Sequence, residues 1–270
     1  MRDGRSQWEV KADALQRFIM WFGLSRFIQY YLVAEYPKSG GTWFCQMLST
    51  YLGIPYPRNQ RPHFILKPCI LQGHFLPSRC WGKNVFCVIR DGRDVIVSAY
   101  YHFLIHSDRN IPWVVERTRR AMPFDDYEDI EKNLPPYIEY MFTGFNRGAF
   151  HFRWDEFIYS CLEKDVTVVR YEDLLENTVN ALYAAIYEVT GKDPDLEKLQ
   201  MITQQFSFEN QTGRKRGEEN VESFLRNGVA GGWKQKMSRE AREVFDYFAG
   251  KALIAAGYET DRSWVDDCRH

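Results

Sequence analysis

Much that would narrow a function quickly is missing from this chain. Its six cysteines, Cys45, Cys69, Cys80, Cys87, Cys161 and Cys268, are scattered with no CxxC pair. That argues against a disulfide-stapled secreted fold and for a reduced, cytoplasmic chain. No His, Cys, Asp or Glu cluster has ligand spacing, so no metal cofactor is expected. Neither sign of charge is in excess: 35 Lys and Arg against 36 Asp and Glu give a formal net charge of −1. No global basic field therefore argues for nucleic acid as a partner, and any anion site must be local. No apolar run is long enough to span a membrane. Residues 14–27 are rich in Leu, Phe, Ile, Met and Trp, but Arg17 and Arg26 interrupt them. A secretory signal would put its charges first and end at small residues, whereas this stretch runs straight into a strand pattern. Residues 1–27 are expected to be a helical segment packed on the rest, with a membrane-surface or acceptor-channel role as the alternative. No internal repeat and no linker divide the 270 residues, which predicts a single domain over 1–270.

Aromatics, by contrast, are plentiful at 16%, which suits stacking pockets as well as a core. The chain is organised around Glu35-Tyr36-Pro37-Lys38-Ser39-Gly40-Gly41-Thr42-Trp43. Before it, residues 27–34 are dense in aromatic and β-branched side chains and predict a buried strand. After it, residues 43–52 are apolar at helical spacing and stop at Gly53, with Pro55 beyond, which predicts a helix. Strand, tight small-residue turn and helix together aim free backbone N–H groups and a positive dipole end at one point, where an anion fits. Lys38 adds a full charge, and Gly40 and Gly41 let the backbone come close to a ligand. A nucleoside-triphosphate P-loop reads GxxxxGK[ST], with the lysine after the glycines. Here Lys38 precedes them, and on the turn alone an ordinary βα turn stays open.

The pattern repeats downstream. The stretch from Tyr51 to Pro77 carries five prolines, at positions 55, 57, 62, 68 and 77, and predicts a loop-rich crossing with little regular structure. His63 and His74 lie in it. Residues 84–89 form a continuous apolar run ending at Arg90-Asp91-Gly92-Arg93-Asp94, and a helix pattern follows from Val95 to about Ile105. Residues 165–171 predict a third buried strand, and Glu172 and Asp173 open a helix with acidic residues in its first turn. Helices joined by loops are expected over 112–149, and further helices over 178–190, 196–205 and 238–256. This alternation predicts an α/β fold with a parallel sheet between helices on both faces.

Three stretches supply anion-binding chemistry. Beside the Lys38 turn, Arg90 stands at a strand's carboxyl end, where ligands bind in open α/β sheets. Ser98 lies about two helical turns on and reaches the same anion if the chain bends back. In the segment 226–234, Gly228 and Gly231 permit backbone donation and Arg226 a bidentate clamp. Such a site wants a ligand with two separated anionic groups.

These stretches resemble known ones. YPKSGGTW resembles the 5′-phosphosulfate loop (usually YPKSGTTW) of the sulfotransferases that use 3′-phosphoadenylyl sulfate, PAPS. RDGRDVIVS, from Arg90 to Ser98, is similar to that family's 3′-phosphate motif. RNGVAGGWK resembles its closing RKGxxGDWK, and YEDL at 171–174 also fits. The motifs occur in family order over residues 36–234. The resemblance implies a sulfotransferase fold on a P-loop-kinase-like core. Its co-substrate would be PAPS and its product adenosine 3′,5′-bisphosphate, PAP, with no metal. Carried over by position, Lys38, Ser39 and the backbone of Gly40, Gly41, Thr42 and Trp43 would hold the 5′-phosphosulfate. Arg90, Ser98, Arg226, Asn227 and Gly228 would hold the 3′-phosphate. Trp43 and Phe208 would stack near the adenine, with Tyr171 touching the base. Each of these three aromatics has a plain core role as its alternative.

Sulfuryl transfer needs a base for the acceptor's proton and a cation for charge on the leaving phosphate. The resemblance assigns the first role to His74, where the family has the histidine of its KxHLP segment, and the second to Lys38. His63 and His102 are the rival bases. Gly41 replaces a usual threonine, Gln72 a lysine, Asn227 a lysine and Gly232 an aspartate, which puts rate and cofactor affinity in question. Arg214, Lys215 and Arg216 either cap the cofactor loop or form a solvated basic run. The acceptor is expected to be a small molecule with a hydroxyl, or an amine, and apolar or aromatic. The stretches 55–77 and 100–155 carry Phe64, Phe75, Tyr101, Phe103, Phe145, Phe150 and Trp154 but no dense basic cluster. A homodimer is left open. Two other classes also stay open: a small-molecule kinase of P-loop type, and a nucleotide-binding protein without turnover.

Overall fold

The computed structural model describes residues 7–57, 65–79, 84–105, 112–144, 152–223 and 225–266. Helix α1 (Gln7–Phe22) leads through a short 3-10 turn at Leu24–Arg26 into strand β1 (Tyr31–Glu35), and α2 (Gly41–Leu52) follows. β2 (Ile70–Gly73) and β3 (Asn84–Ile89) come next, then α3 (Gly92–Leu104), α4 (Pro112–Ala121), α5 (Ile130–Thr143) and α6 (Trp154–Leu162). β4 (Thr167–Arg170) precedes α7 (Tyr171–Glu176), α8 (Thr178–Thr190), α9 (Leu196–Gln205), the short α10 (Phe208–Thr212) and the long α11 (Arg239–Ala255).

The four strands pair in the order β2-β1-β3-β4, and every pairing is parallel. Parallel strands need crossovers that cover both faces, so their residues are apolar throughout rather than alternating. β1 shows the consequence. Leu32 and Ala34 join one core cluster together with Val85, Cys87 and Ile89 of β3, under α3, α5, α6 and α11. Val33 between them joins the other cluster with Phe86 and Val88, under α2, α8 and α9. The result is three layers, helices against each face of the sheet.

Register fixes what meets at the carboxyl edge. Val33 is opposite Gln72 and Ala34 opposite Gly73; Glu35 is opposite Val88, and Ile89 opposite Arg170. The first residues beyond the strands, Tyr36, His74, Arg90 and Tyr171, therefore leave the sheet along the same edge. α1 packs against this edge: Trp21 and Phe22 lie 5.1 and 5.2 Å from the ring of Phe75, just past β2.

Three sequence expectations change. The buried strand over 27–34 begins only at Tyr31, and Phe27 is 87% exposed, because the 3-10 turn absorbs the first residues of the run. The proline-rich crossing contains β2, whose Ile70 and Leu71 are buried by pairing with β1. Helix α6 was not separated from its surroundings by pattern, although Trp154 at its start anchors the core. That indole is fully buried, packs 6.0 Å from the ring of Phe245, and donates from Nε1 to the Arg90 carbonyl at 3.1 Å. Trp154→Ala is expected to cost about 3–5 kcal/mol, as for other buried aromatics. The check is the urea unfolding midpoint at unchanged slope; a shift worth less than about 1 kcal/mol would show that this contact is not structural.

Candidate functional site

The loop between β1 and α2 carries two left-handed residues, Lys38 at φ 75° and Gly40 at φ 89°. Lys38 is the one non-glycine residue with positive φ among those described, a conformation that costs an ordinary side chain about 1–2 kcal/mol. The strain is held by specific contacts. Ser39 N–H donates to the Tyr36 carbonyl at 3.1 Å, and Arg90 Nη1 donates to the Lys38 carbonyl at 3.1 Å. Gly40 is required twice over, since a Cβ there would also meet the Tyr171 ring at 2.5 Å.

Arg90 is buried at the end of β3. Its guanidinium lies 4.4 Å over the Tyr171 ring and 3.9 Å from the Asp94 carboxylate. Burial works against this charge, yet Tyr171, Asp94, Glu172 and Asp91 together outweigh it and hold the arginine above its ordinary pKa. Burial also raises the Tyr171 phenol and the Asp94 carboxyl, the latter against the pull of Arg90. Asp94 in turn accepts from the amides of Gly231 at 2.7 Å and Trp233 at 3.0 Å, so it anchors the glycine-rich segment. Arg93 of the same motif is spoken for: it pairs with Asp91 at 2.7 Å and with Glu259, and lies 3.9 and 4.6 Å over Trp233 and Trp264. Glu172 of YEDL accepts from the Asp91 amide at 3.0 Å, tying α7 to the Arg90 turn.

These elements enclose one cavity of about 500 Å³. Lys38, Gly40, Thr42, Trp43, His74, Arg90, Ser98, Tyr171, Phe208, Arg226, Asn227 and Gly228 all line it. Eleven of the thirteen residues expected to hold the nucleotide are thus brought together, with His74 beside them. Ser39 and Gly41 lie behind the lining: the Ser39 hydroxyl is fully buried, and the Gly41 amide donates to the Glu35 carboxylate at 2.6 Å. Ser98 reaches the cavity from α3 itself, without the bend that its spacing suggested. Two polar atoms of this site are buried with no hydrogen-bond partner, Ser39 Oγ and Arg90 Nε. Buried polar groups are nearly always satisfied, so such orphans call for a ligand or another explanation.

The aromatic floor is built by close approach. Trp43 Nε1 donates to the Phe206 carbonyl at 2.8 Å, and its ring meets Tyr171 edge-on at 6.2 Å. Gly228, at φ 62°, would drive a Cβ to 2.5 Å from the Phe208 ring. Arg226 lies 4.6 Å over Tyr101 and pairs with Glu219. Arg214 caps the closing segment, donating to the carbonyls of Arg226 at 2.7 Å and Glu218 at 2.6 Å. Arg216 lines the cavity and donates to the Leu175 carbonyl at 2.7 Å. Arg214 is thus tied to the closing segment, while Lys215 and Arg216 are exposed.

His74 lies just beyond β2, with Nδ1 3.3 Å from the Glu35 carbonyl oxygen. A carbonyl can only accept, so Nδ1 carries the hydrogen and Nε2 is the nitrogen able to take a proton. His102 also lines the cavity, beside Phe103; His63 lies outside the described residues. The expected acceptor aromatics are largely reassigned. Phe103 lines the cavity, but Phe75 packs on α1, Tyr101 supports Arg226 and Trp154 belongs to the core. Phe64, Phe145 and Phe150 lie outside the described residues. Within the expected stretch 100–155, α4 adds Trp113, Val114 and Val115, which sequence reasoning did not single out. That reasoning also assigned no role to the carboxylate of Glu35. Among the described residues no group of three or more His, Cys, Asp or Glu side chains could hold a metal ion.

A family model described as "Sulfotransferase domain" matches residues 55–257. The chain is 25% identical to sulfotransferase 1E1 of Rattus norvegicus over 259 residues, covering 80% of each. It is 23% identical to sulfotransferase 1A1 of Canis lupus familiaris over 268 residues, covering 84% of each. A crystal structure of a mouse sulfotransferase complexed with PAP superposes with a TM-score of 0.62 at 15% identity, over 90% of each chain.

The anchoring of the closing segment is testable. Asp94→Asn keeps one acceptor oxygen for two amides, and a hydrogen bond to a charged group is worth about 1.5–3 kcal/mol. Amide exchange at Gly231 and Trp233 is expected to speed up about tenfold or more by hydrogen-exchange mass spectrometry or NMR. Unchanged protection would show that the segment is held by other contacts.

Proposed function

The chain belongs to the sulfotransferase family, and we propose that it moves a sulfuryl group from PAPS to the hydroxyl of a small apolar or aromatic molecule. The observation that carries this reading is the meeting of Lys38, Arg90, Ser98, Arg226 and His74 in one cavity, from stretches up to 188 residues apart in sequence (226 − 38). When bound, PAPS supplies an activated sulfuryl group on a phosphosulfate anhydride. The two orphaned atoms fit such a ligand: Ser39 Oγ lies in the loop expected at the 5′ end, and Arg90 Nε on the side expected at the 3′-phosphate.

In this reading the strained loop offers Lys38 and the positive end of α2 to the 5′ group. A lysine there opposes the charge that collects on the leaving phosphate. Arg90, Ser98 and Arg226 hold the 3′-phosphate, while Trp43, Tyr171 and Phe208 confine the base. His74 takes the acceptor's proton at Nε2, oriented through Nδ1 by the Glu35 carbonyl, which also keeps the ring in the required tautomer. Phe103, Trp113, Val114 and Val115 give the remaining wall an apolar character, which supports an apolar or aromatic acceptor. A reducing, cytoplasmic setting is supported by Cys45, Cys69, Cys87 and Cys161, which are all buried free thiols. No helix among the described residues is long and apolar enough to cross a membrane.

Calorimetry tests the nucleotide assignment first. PAP should bind far more tightly than adenosine 5′-phosphate, and Arg90→Ala should weaken PAP roughly 10- to 150-fold, the equivalent of one charged hydrogen bond. Equal affinity for the two nucleotides would overturn the assignment. Turnover of labelled PAPS over a panel of phenols and aliphatic alcohols then tests the chemistry and separates an enzyme from a binding protein. His74→Ala should lower kcat by about 10²- to 10⁴-fold while leaving PAP affinity nearly unchanged, since general-base catalysis contributes on that scale. Near-full turnover in His74→Ala, with loss in His102→Ala or His63→Ala, would move the role to that other histidine. Activity should survive EDTA; strict dependence on added Mg²⁺ would favour a kinase instead.

A further inference from the structure

The feature of this site that neither the family motifs nor the mechanism above accounts for is the side chain of Glu35. It ends β1, is buried, and turns its carboxylate into the phosphate loop. One oxygen accepts from the Gly41 amide at 2.6 Å, the first residue of α2. The other accepts from the Gln72 side-chain amide. Gln72 is itself fixed, because its carbonyl oxygen accepts from the Tyr56 hydroxyl and its nitrogen also faces Thr42 Oγ1 at 3.3 Å. The carboxylate is therefore positioned by a hydrogen-bonded chain, and both donors that hold it are neutral amides. It sits at the helix N-terminus, the place an anion prefers.

The departures at 41 and 72 thereby become one unit with Glu35. A Cβ at Gly41 would run into the Glu35 carboxylate, so the family's threonine has no room there. The glutamine at 72 supplies the amide that the carboxylate needs, where a lysine would have supplied a cation to the sulfuryl group.

We infer that Glu35 is a specificity-determining residue of the nucleotide site, which weakens the hold on the anionic group at the 5′ end by occupying a loop amide and repelling its charge. The inference rests on the reading of this loop as the 5′-phosphosulfate site. Within PAPS the 5′ group carries one ionised oxygen on phosphorus and a second on sulfur. Once the sulfuryl group has left, the bridging oxygen stays with the phosphate, which becomes a monoester with a charge of about −1.5 to −2 at neutral pH. Donor and product therefore bring a similar charge, and a fixed carboxylate at the loop's first helical amide competes with either for that donor and repels either.

The test is calorimetry of PAP and of adenosine 3′-phosphate, which lacks the 5′ group, with the wild-type chain and with Glu35→Gln. The amide keeps the shape of the carboxylate and removes its charge. Glu35→Gln is expected to tighten PAP about tenfold and to leave adenosine 3′-phosphate within about twofold. Unchanged PAP affinity, or equal tightening of both ligands, overturns the inference while the nucleotide reading stands. A wild-type chain that binds PAP no better than adenosine 5′-phosphate overturns the nucleotide reading and this inference with it. Should Glu35→Gln fail to fold, the wild-type chain decides: PAP binding within about tenfold of adenosine 3′-phosphate supports the role, and PAP binding more than about 10³-fold tighter refutes it.

Discussion

A buried positive charge at the end of β3 sets the terms for everything around it. Arg90 could not remain ionised there without compensation, because moving a guanidinium out of water costs several kcal/mol even after the surroundings relax. The compensation comes from four directions: the Lys38 carbonyl, the Tyr171 ring, Asp94, and the Asp91–Glu172 pair held below it. These partners come from three elements, so one charge fastens the phosphate loop, α3 and α7 to one another. The same Asp94 then reaches on to the amides of the closing segment. The carbonyl of Arg90 extends the tie in the opposite direction, to Trp154 and the core beneath. The guanidinium is thus held in place from several sides, while its Nε has no partner within the protein.

Glycine plays an equally specific part. Gly40 and Gly228 each combine a left-handed backbone with direct contact against an aromatic ring, Tyr171 in one case and Phe208 in the other. Any side chain at either position would push the ring out of the cavity wall or straighten the turn. The two glycines therefore shape the cavity by letting the backbone and the rings meet, and their role is steric as much as conformational.

Glu35 shows how a family site can be retuned without being dismantled. The carboxylate, the missing side chain at Gly41 and the amide of Gln72 are interlocked, so changing any one alone would leave a clash or an unsatisfied buried group. The anion-binding geometry of the loop survives around this insertion, with Lys38, Thr42 and Trp43 still at the cavity wall. What differs is the electrostatic balance at the start of α2, where a fixed carboxylate already takes the first amide.

The local sequence was enough for the βα units at Lys38 and Arg90, the parallel sheet, the helices over 178–190 and 196–205, and the family of the site. These features rest on short-range patterns: apolar runs of strand length, helical periodicity, and turns whose glycines and charges lie within a few residues of each other. Strand β2 was not legible, because four residues among prolines carry too little pattern, and its burial comes from pairing with β1. Nor could spacing tell Arg93 from Arg90, two arginines three positions apart of which one is clamped between tryptophans and the other faces the cavity. The same holds for Trp154, Tyr101 and Phe75, aromatics that could equally have lined an acceptor pocket. The bond between Gln72 and Glu35 joins side chains 37 positions apart; it exists because the register of β2 against β1 sets Gln72 beside Val33. Residue type limits the chemistry a position can offer, but which partner that chemistry meets is decided by strand register and by the side from which each helix packs.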